Sequence, residues 1–388
     1  MTLFAETFVR SLNKHGEELC GDSVEVVRTA DSVIVVLADG LGSGVKASIL
    51  STLTSKIAAS MLQQGATLEE VVDTLAGTLP VCQVRQLAYS TFLILQVHLK
   101  QQTAYLVEYD CPAAFLWREG RVLAMEKTSR IVSGRRILEA RFDILEGDVF
   151  VLVSDGVIHA GVGAVLNLGW QWEHVSSYLE KLLRSPLELP ELVQTLAGVC
   201  DNLYLSRPGD DVTVAGVKVR SNEQVTILAG PPRDPQADAA VVEQLMAQPG
   251  SKVVCGGTTA QVVSRCSGRP LLTSLEQPTP GVPPAAAIPG LDLVTEGVLT
   301  LSRTLELIRA ANAGIRPGRR AELEGSDGAA KLARMLLYHC TRLRVFLGRA
   351  ENPAHRELLG QLQPRRQVVE AICQELRAMG KEVQLAYY

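Results

Sequence analysis

Aspartates recur at four widely separated places in the 388 residues, each at the edge of an aliphatic run: Asp22, Asp39, Asp155 and the pair Asp210–Asp211. Gly21-Asp22 opens the run Ser23–Arg28, and Val33–Leu37 ends in Ala38-Asp39-Gly40-Leu-Gly-Ser-Gly44. Val149–Val153 ends in Ser154-Asp155-Gly156, and Asp210–Asp211 opens Val212–Val219. A carboxylate at the end of a buried strand, beside backbone that glycine leaves accessible, suits a hard cation. Mg²⁺, Mn²⁺ and Ca²⁺ take carboxylate and carbonyl oxygens. One such aspartate is unremarkable, because Asp is common in turns. Several converging could hold two divalent cations, and a water bridging two such ions is a nucleophile near neutral pH.

The stretch around Asp39 admits other readings. Strand, glycine-rich turn and helix also describe a dinucleotide site. The glycines here are spaced G-x-G-x-G, however, and no acid closes a second strand about twenty residues on. A Walker A loop fails because Lys46 does not directly follow Gly44. Asp39 also precedes the glycines, where it would repel a phosphate unless a cation neutralised it. On these residues alone a metal site, a plain tight turn and a nucleotide loop all remain open.

The elements that must position the aspartates are legible in outline. Phe4–Val9, Ser23–Arg28, Val33–Leu37, Tyr89–Leu99, Thr103–Tyr109, Ala113–Trp117, Val149–Val153 and Val212–Val219 read as strands. The strand opened by Asp22 could lie beside the Asp39 strand. Val45, Ile49, Leu53, Ile57 and Met61 recur every four residues and mark an amphipathic helix that Gly65 ends. Thr67 and Glu70 have capping-box spacing for the next helix, which Pro80 closes. Further helices are predicted over Trp172–Arg184 and Leu189–Leu205.

With these residues in place, the first 220 positions resemble a known family. Gly21-Asp22, Asp39-Gly40-Leu-Gly-Ser-Gly44, Tyr89-Ser-Thr-Phe92, Gly147-Asp148 with Ser154-Asp155-Gly156, and Asp210-Asp-Val-Thr213 resemble the stage II sporulation protein E type of the type 2C metal-dependent Ser/Thr protein phosphatases. The resemblance implies an α+β domain over 1–220, a β-sandwich of two antiparallel sheets flanked by helices, with two Mn²⁺ or Mg²⁺ ions in a cleft at one end. It casts Asp39 as the carboxylate bridging both ions and the Gly40 carbonyl as a ligand of the second. Asp155 and Asp210 resemble ligands of the first ion, and Asp22 a partner of the second through water. Asp39, Asp155 and Asp210 are thus the implied catalytic set. Asp211 reads equally as a metal ligand or as a cap on the last strand. The implied reaction is direct attack of metal-bound water on phosphoserine or phosphothreonine of a small regulatory protein, such as an anti-sigma-factor antagonist. No motif-matched arginine stands ready to hold the phosphate; Arg10 and Lys14 could serve, but read more simply as solvated charges. His159 could protonate the leaving oxygen, though a structural role is the simpler reading.

Beyond Val219 the pattern changes to alternating strand and helix, which predicts a smaller α/β domain over 221–388 with a proline-rich loop at 277–289. Loops following its strands carry Gly256-Gly257-Thr258-Thr259 and a segment with Asn352 and His355, candidate positions for a small anionic ligand. Three ordinary strand-to-helix connections explain them equally well. Ligand sensing and partner docking are the roles considered for this domain.

Composition bounds the rest. A net charge of −4 argues against general nucleic-acid binding. No signal peptide and no run of membrane-spanning length is evident, so a cytoplasmic protein without membrane attachment is expected. The eight cysteines are scattered without a C-x-x-C pair, as expected of reduced thiols, neither disulfides nor a zinc site. A non-catalytic module that kept the fold, and a hydrolase of small phosphorylated metabolites, are the rival functions.

Overall fold

A computed structural model describes residues 3–29, 31–78, 90–132, 135–185, 187–273, 286–312, 322–350 and 365–388. Tyr89, Pro80, Asn352, His355 and positions 277–285 of the proline-rich loop lie outside them. The chain divides into two compact units, Met1–Ser221 and Asn222–Tyr388.

In the first unit the strands are β1 (Leu3–Leu12), β2 (Asp22–Arg28), β3 (Ser32–Gly40), β4 (Ser90–His98), β5 (Thr103–Tyr109), β6 (Phe115–Arg118), β7 (Arg121–Leu123), β8 (Thr128–Val132), β9 (Arg135–Asp143), β10 (Val149–Val153) and β11 (Val212–Ser221). The helices are α1 (Gly44–Gln63), α2 (Leu68–Thr78), α3 (Asp155–Ile158), α4 (Trp172–Leu182) and α5 (Leu189–Leu203). One sheet runs β2-β3-β4-β5-β9-β8 and the other β1-β11-β10-β6-β7. Every pairing within them is antiparallel.

The period of two along β3 explains why its sequence is apolar throughout. Val33, Val35 and Leu37 face Phe150, Leu152 and Val217 of the other sheet. Ile34, Val36 and Ala38 face Ala58, Leu62, Val71 and Leu75 of α1 and α2. The second sheet is covered on its outer side by α4 and α5, through Val175, Leu179, Leu192 and Leu196. The result is a four-layer α/β/β/α sandwich in which β3 and β10 are buried on both faces.

The face that α1 buries differs from the one its periodicity predicts. Val45, Ile49 and Leu53 are 62%, 55% and 49% exposed, while Ala47, Ser51, Thr54, Ser55, Ala58 and Ala59 are buried. Close approach is the reason. A Cβ on Gly40 would lie 2.2 Å from the Ala47 carbonyl oxygen, so helix and strand touch backbone to backbone. Only small side chains fit such a contact. Their hydroxyls are satisfied locally: Thr54 donates to the Leu50 carbonyl at 2.8 Å, and Ser55 meets Ser23 at 3.0 Å. The capping box of α2 forms as its spacing predicts, with Thr67 N–H donating to Glu70 Oε2 at 2.7 Å.

Strands β7, β8 and β9 had no clear apolar alternation. β8 and β9 carry polar cross-strand contacts, among them Arg130 with Glu139 at 2.9 Å and Tyr105 Oη donating to Glu139 at 2.8 Å.

The second unit contains β12 (Gln224–Ala229), β13 (Ser251–Cys255), β14 (Leu272–Thr273), β15 (Ala286–Ala287), β16 (Leu293–Thr295), β17 (Arg342–Leu347) and β18 (Glu382–Tyr387). Its helices are α6 (Asp238–Ala247), α7 (Gly257–Ser267), α8 (Val298–Asn312) and two more at Gly328–Tyr338 and Arg365–Ala378. Five parallel strands run β16-β13-β12-β17-β18, and β15 and β14 extend the β16 edge antiparallel. α6 and α7 pack on one face, and the other three helices on the opposite face. The sheet is therefore doubly wound outward from β12.

Candidate metal centre

Strand register brings the first two aspartates together. Asp22 opens β2 directly opposite Asp39 near the end of β3. On the other sheet β10 and β11 are locked where both meet the site: Ser154 N–H donates to the Thr213 carbonyl at 3.0 Å and Thr213 N–H to Ser154 Oγ at 2.9 Å. That lock sets Asp155 at the start of α3 beside Asp210 and Asp211 at the start of β11. Tyr204, buried at the end of α5, donates its hydroxyl to the Gly156 carbonyl at 3.0 Å and pins the same turn.

The electrostatics place all five carboxylates in one neighbourhood. Asp39 is pushed up to about 10 by burial first, and then by the charges of Asp22, Asp155 and Asp210. Asp22 is raised to about 7 by burial, with Asp211 and Asp155 adding to the rise. The Ser154 and Thr213 hydroxyls are near enough to draw Asp22 back part of the way. Neither of its oxygens has a hydrogen-bond partner among the described residues, however. Asp210 is also raised, by burial and then by Asp155.

The fit to a cation rests on these orphaned oxygens. Asp22 Oδ1 and Oδ2 and Asp211 Oδ2 are buried acceptors without donors, a costly state that a cation would relieve. Among the described residues no three His, Cys, Asp or Glu side chains are arranged so that together they could hold a metal ion. A set of three is not what a hard cation requires, since Mg²⁺ keeps several waters and needs one or two carboxylates. The donor set is all oxygen, as such ions prefer. The residues present therefore fit hydrated Mg²⁺ or Mn²⁺.

Glycine makes the crowding possible. A Cβ on Gly156 would meet the Asp211 carbonyl oxygen at 1.9 Å, and one on Gly21 the Asp211 carboxylate at 2.8 Å. Gly40 donates its N–H to the Gly21 carbonyl at 3.2 Å, tying the two loops together. Asp211 does not simply cap its own strand. Its Oδ1 accepts the Lys14 N–H at 2.9 Å, which fastens the loop between β1 and β2 to the head of β11. Asp148, part of the sequence pattern, lies apart: its carboxylate is buried against the Arg118 guanidinium at 2.7 Å. His159 is exposed, and its N–H closes α3 on the Asp155 carbonyl at 2.9 Å.

Sequence reasoning missed three contributors: Glu17, Tyr204 and the Ser154–Thr213 lock. Glu17 Oε1 accepts the Ser43 hydroxyl at 3.0 Å, at the very start of α1. A glutamate facing an uncapped helix N-terminus is the signal that could have found it, had the loop fold been known. Nothing in the spacing of Tyr204 or Thr213 announces their roles.

In the second unit, Gly256 and the segment after β16 come together, with Gly256 N–H donating to the Thr295 carbonyl at 2.9 Å. Thr259 is buried beneath this turn, while Gly257 and Thr258 are exposed. The residues just after β17 pack against the turn that follows β12. A Cβ on Gly348 would meet the Pro231 carbonyl oxygen at 2.0 Å, and Arg365 donates to the carbonyls of Gly348 and Ala350, each at 2.8 Å. The end of β12 lies between the two turns, with Gly230 N–H donating to the Cys255 carbonyl at 3.4 Å and Gly348 N–H to the Ala229 carbonyl at 3.0 Å; Asn352 and His355 lie outside the described residues. A cleft of about 370 Å³ opens beside Thr295, lined by Glu296, Thr300, Asp327 and Lys331 among others.

The described cysteines are all free thiols, and Cys200, Cys255, Cys340 and Cys373 are buried. No helix among the described residues is long and apolar enough to cross a membrane.

Residues 29–220 match the family described as Stage II sporulation protein E (SpoIIE). No curated protein matches the chain. Among solved structures, the SpoIIE phosphatase domain of Bacillus subtilis, in a crystal form without domain swapping, is 17% identical with a TM-score of 0.44, covering 57% of this chain and 94% of that one. A longer B. subtilis SpoIIE structure, the PP2C domain with a fragment of its regulatory domain, is 19% identical with a TM-score of 0.49, covering 57% of this chain and 64% of that one. The RsbU and RsbW domains of a Mycobacterium tuberculosis protein are 15% identical with a TM-score of 0.45, covering 63% and 68%.

Proposed function

We propose that the chain, whose residues 29–220 match the SpoIIE family, is a metal-dependent phosphatase acting on phosphoserine or phosphothreonine of a regulatory protein. The observation that carries the reading is the convergence of Asp22, Asp39, Asp155, Asp210 and Asp211 around buried, donorless oxygens. Asp39 would hold both ions, Asp155 and Asp210 the first, and the Gly40 carbonyl with Asp22 the second. When bound, Mn²⁺ or Mg²⁺ supplies an activated water and offsets the charge of the phosphate. The water oxygen forms the new P–O bond, and the serine or threonine oxygen leaves with a proton, giving alcohol and inorganic phosphate. The protein's own part is to hold the carboxylates in register between two sheets, so that little rearrangement is needed when charge develops.

The first test is hydrolysis of p-nitrophenyl phosphate. Turnover is expected with Mn²⁺ or Mg²⁺ and should stop on adding chelator, with circular dichroism unchanged because the apolar layers do not depend on the ions. Mn²⁺ at about 100 times its dissociation constant should stabilise the fold by about 2.7 kcal/mol. A protein that binds Mn²⁺ yet turns over no ester is the non-catalytic module. If it cleaves phosphorylated metabolites but not phosphopeptides, the substrate assignment is wrong.

For the second unit we propose a small-ligand site at Gly256, Gly257, Thr258 and Thr259, joined by the turn at Thr295–Gly297. Gly257 offers a clean probe, since a Cβ there meets nothing within 4 Å. Gly257→Val in the full chain should leave the thermal midpoint nearly unchanged. It should also abolish stabilisation by whichever nucleotide, phosphorylated metabolite or carboxylate stabilises the wild type. A ligand that shifts both proteins equally binds elsewhere. If none of these compounds shifts the wild type, partner docking takes the place of ligand sensing.

A further inference from the structure

In the second unit the chain leaves two neighbouring strands toward opposite faces of the sheet. From β12 it crosses to β13 through α6 and on to β16 through α7, both on one face. From β17 it crosses to β18 through the helix Arg365–Ala378 on the other face. β12 and β17 lie side by side and parallel, so the connections part at their carboxyl ends. In open α/β sheets ligands bind where the connections part in this way.

The turns on either side of that point are tied to each other. Ala350 N–H donates to the Pro231 carbonyl at 3.3 Å, and Arg233 and Arg349 N–H both donate to the Tyr388 carbonyl, at 3.4 and 2.9 Å. Arg365 lies across the pair. Gly230, at φ +86°, leaves room for its guanidinium, since a Cβ there would lie 2.2 Å from Arg365 Cζ. Nη2 of that guanidinium holds the Gly348 and Ala350 carbonyls.

Those two bonds leave its charge unanswered. Among the described residues no carboxylate pairs with Arg365, and its Nε and Nη1 make no hydrogen bond. Burial pulls the guanidinium below its ordinary range, with no acid to offset it. Lys381 is the contrast within the same unit. Its buried ammonium donates to the Leu337 and Cys340 carbonyls, at 2.8 and 2.7 Å, at the C-terminal end of the helix Gly328–Tyr338, where the helix dipole favours a cation. Arg365 instead opens a helix whose first turn has no acid. More positive charge stands on the adjoining backbone, where Arg233, Arg349 and Arg366 are exposed. Arg349 and Arg366 lie 4.9 and 5.6 Å from the centre of one ring, Tyr387. Glu370, the acid beside them, is taken by Arg366 and the Tyr387 hydroxyl.

We infer that the point where β12 and β17 part binds a phosphate group, free or carried by a small metabolite, with Arg365 as its principal donor. Charge-assisted hydrogen bonds from the unspent N–H groups would supply the neutralisation that the protein does not. This site lies across the end of β12 from the Gly256–Thr259 turn, and it does not depend on the phosphatase reading.

The experiment is calorimetry of inorganic phosphate binding to the full chain at constant ionic strength with excess chelator. Chelator keeps cations from the first unit, whose clustered carboxylates then repel phosphate. The wild type should bind one phosphate per chain. Arg365→Met should weaken that binding about tenfold or more, as expected for loss of hydrogen bonds to a charged group. Arg365→Lys, which keeps the charge without the planar donor set, should recover part of the loss. Arg309→Met, which removes an exposed arginine paired with Glu375, should bind as the wild type does. No binding by the wild type, or equal affinity in Arg365→Met, overturns the assignment. Hydrogen exchange of the wild type decides the matter if Arg365→Met does not fold. Phosphate should slow exchange at 230–233 and 348–350; slowing at 256–259 alone, or nowhere, overturns the site. AMP, ribose 5-phosphate and glycerol 3-phosphate separate the two sources. An ester that binds more tightly than inorganic phosphate makes the ligand a phosphorylated metabolite, and otherwise it is free phosphate.

Discussion

Asp39→Asn is expected to abolish turnover while making the metal-free protein more stable, and the opposite signs are the point of the experiment. Asparagine keeps the shape of the side chain and its place opposite Asp22. It removes a carboxyl whose ionised form burial and three neighbouring carboxylates make costly, so that the fold no longer has to hold it protonated. In the absence of cations this relief should raise the thermal midpoint by about 2 °C or more, the response of a chain this size to somewhat under 1 kcal/mol. With Mn²⁺ at saturation, turnover should fall by more than about 100-fold, since losing even an outer partner of a metal ligand typically costs 10–100-fold. Stabilisation by Mn²⁺ should shrink in parallel. Calorimetric scans with and without Mn²⁺, beside the ester assay, check both halves. Near-normal turnover at saturating Mn²⁺ would sink the assignment of Asp39. A lowered midpoint in the metal-free variant would show that Asp39 holds the fold together and is not strained by it.

The aspartates were legible in the sequence because each is tied to a local feature with its own physics. A strand buried on both faces shows as an unbroken aliphatic run, and its end shows as Asp-Gly. The pairing of Asp22 with Asp39 followed from two short strands joined through one polar loop. The burial of α1 was not legible, because its stripe of Val45, Ile49 and Leu53 obeys the usual rule for a core face. What overrides that rule is the contact of Gly40 with Ala47, a tertiary approach that favours small residues over large ones. Glu17 was hidden for a related reason. Its role depends on a hydrogen bond from Ser43, 26 residues away, and nothing in a polar loop's composition encodes such a partner. In the second unit the order of the parallel strands puts the end of β12 between the Gly256 and Gly348 turns. Element by element the alternation is readable, but the placement of β12 between β13 and β17 is not.

Gly40→Ala should be among the most damaging single-methyl changes in the chain, although alanine carries the same carbonyl that the metal assignment gives to glycine. The added Cβ would lie 2.2 Å from the Ala47 carbonyl oxygen, 2.7 Å from its carbon and 2.8 Å from its Cα. All three are backbone atoms in a regular helix, so no rotamer change can clear the way. α1 must move off β3, pulling Ala47 from Gly21 and disturbing the Ser43–Glu17 contact at its N-terminus. Overpacking of a rigid contact costs about 1–3 kcal/mol and sometimes more. An equilibrium urea titration should therefore show a loss at the upper end of that range. Gly42 supplies the control from two positions away. It has φ +103° with nothing within 4 Å of a Cβ, so Gly42→Ala meets backbone strain without a clash. Its cost should stay near the 1–2 kcal/mol of a single left-handed residue. Turnover should follow the same order, with Gly40→Ala far below Gly42→Ala even at Mn²⁺ concentrations that saturate both. If Gly40→Ala instead unfolds at the wild-type urea concentration and loses only Mn²⁺ affinity, the glycine is kept for the metal and not for the helix. The packing account of α1 would then be wrong.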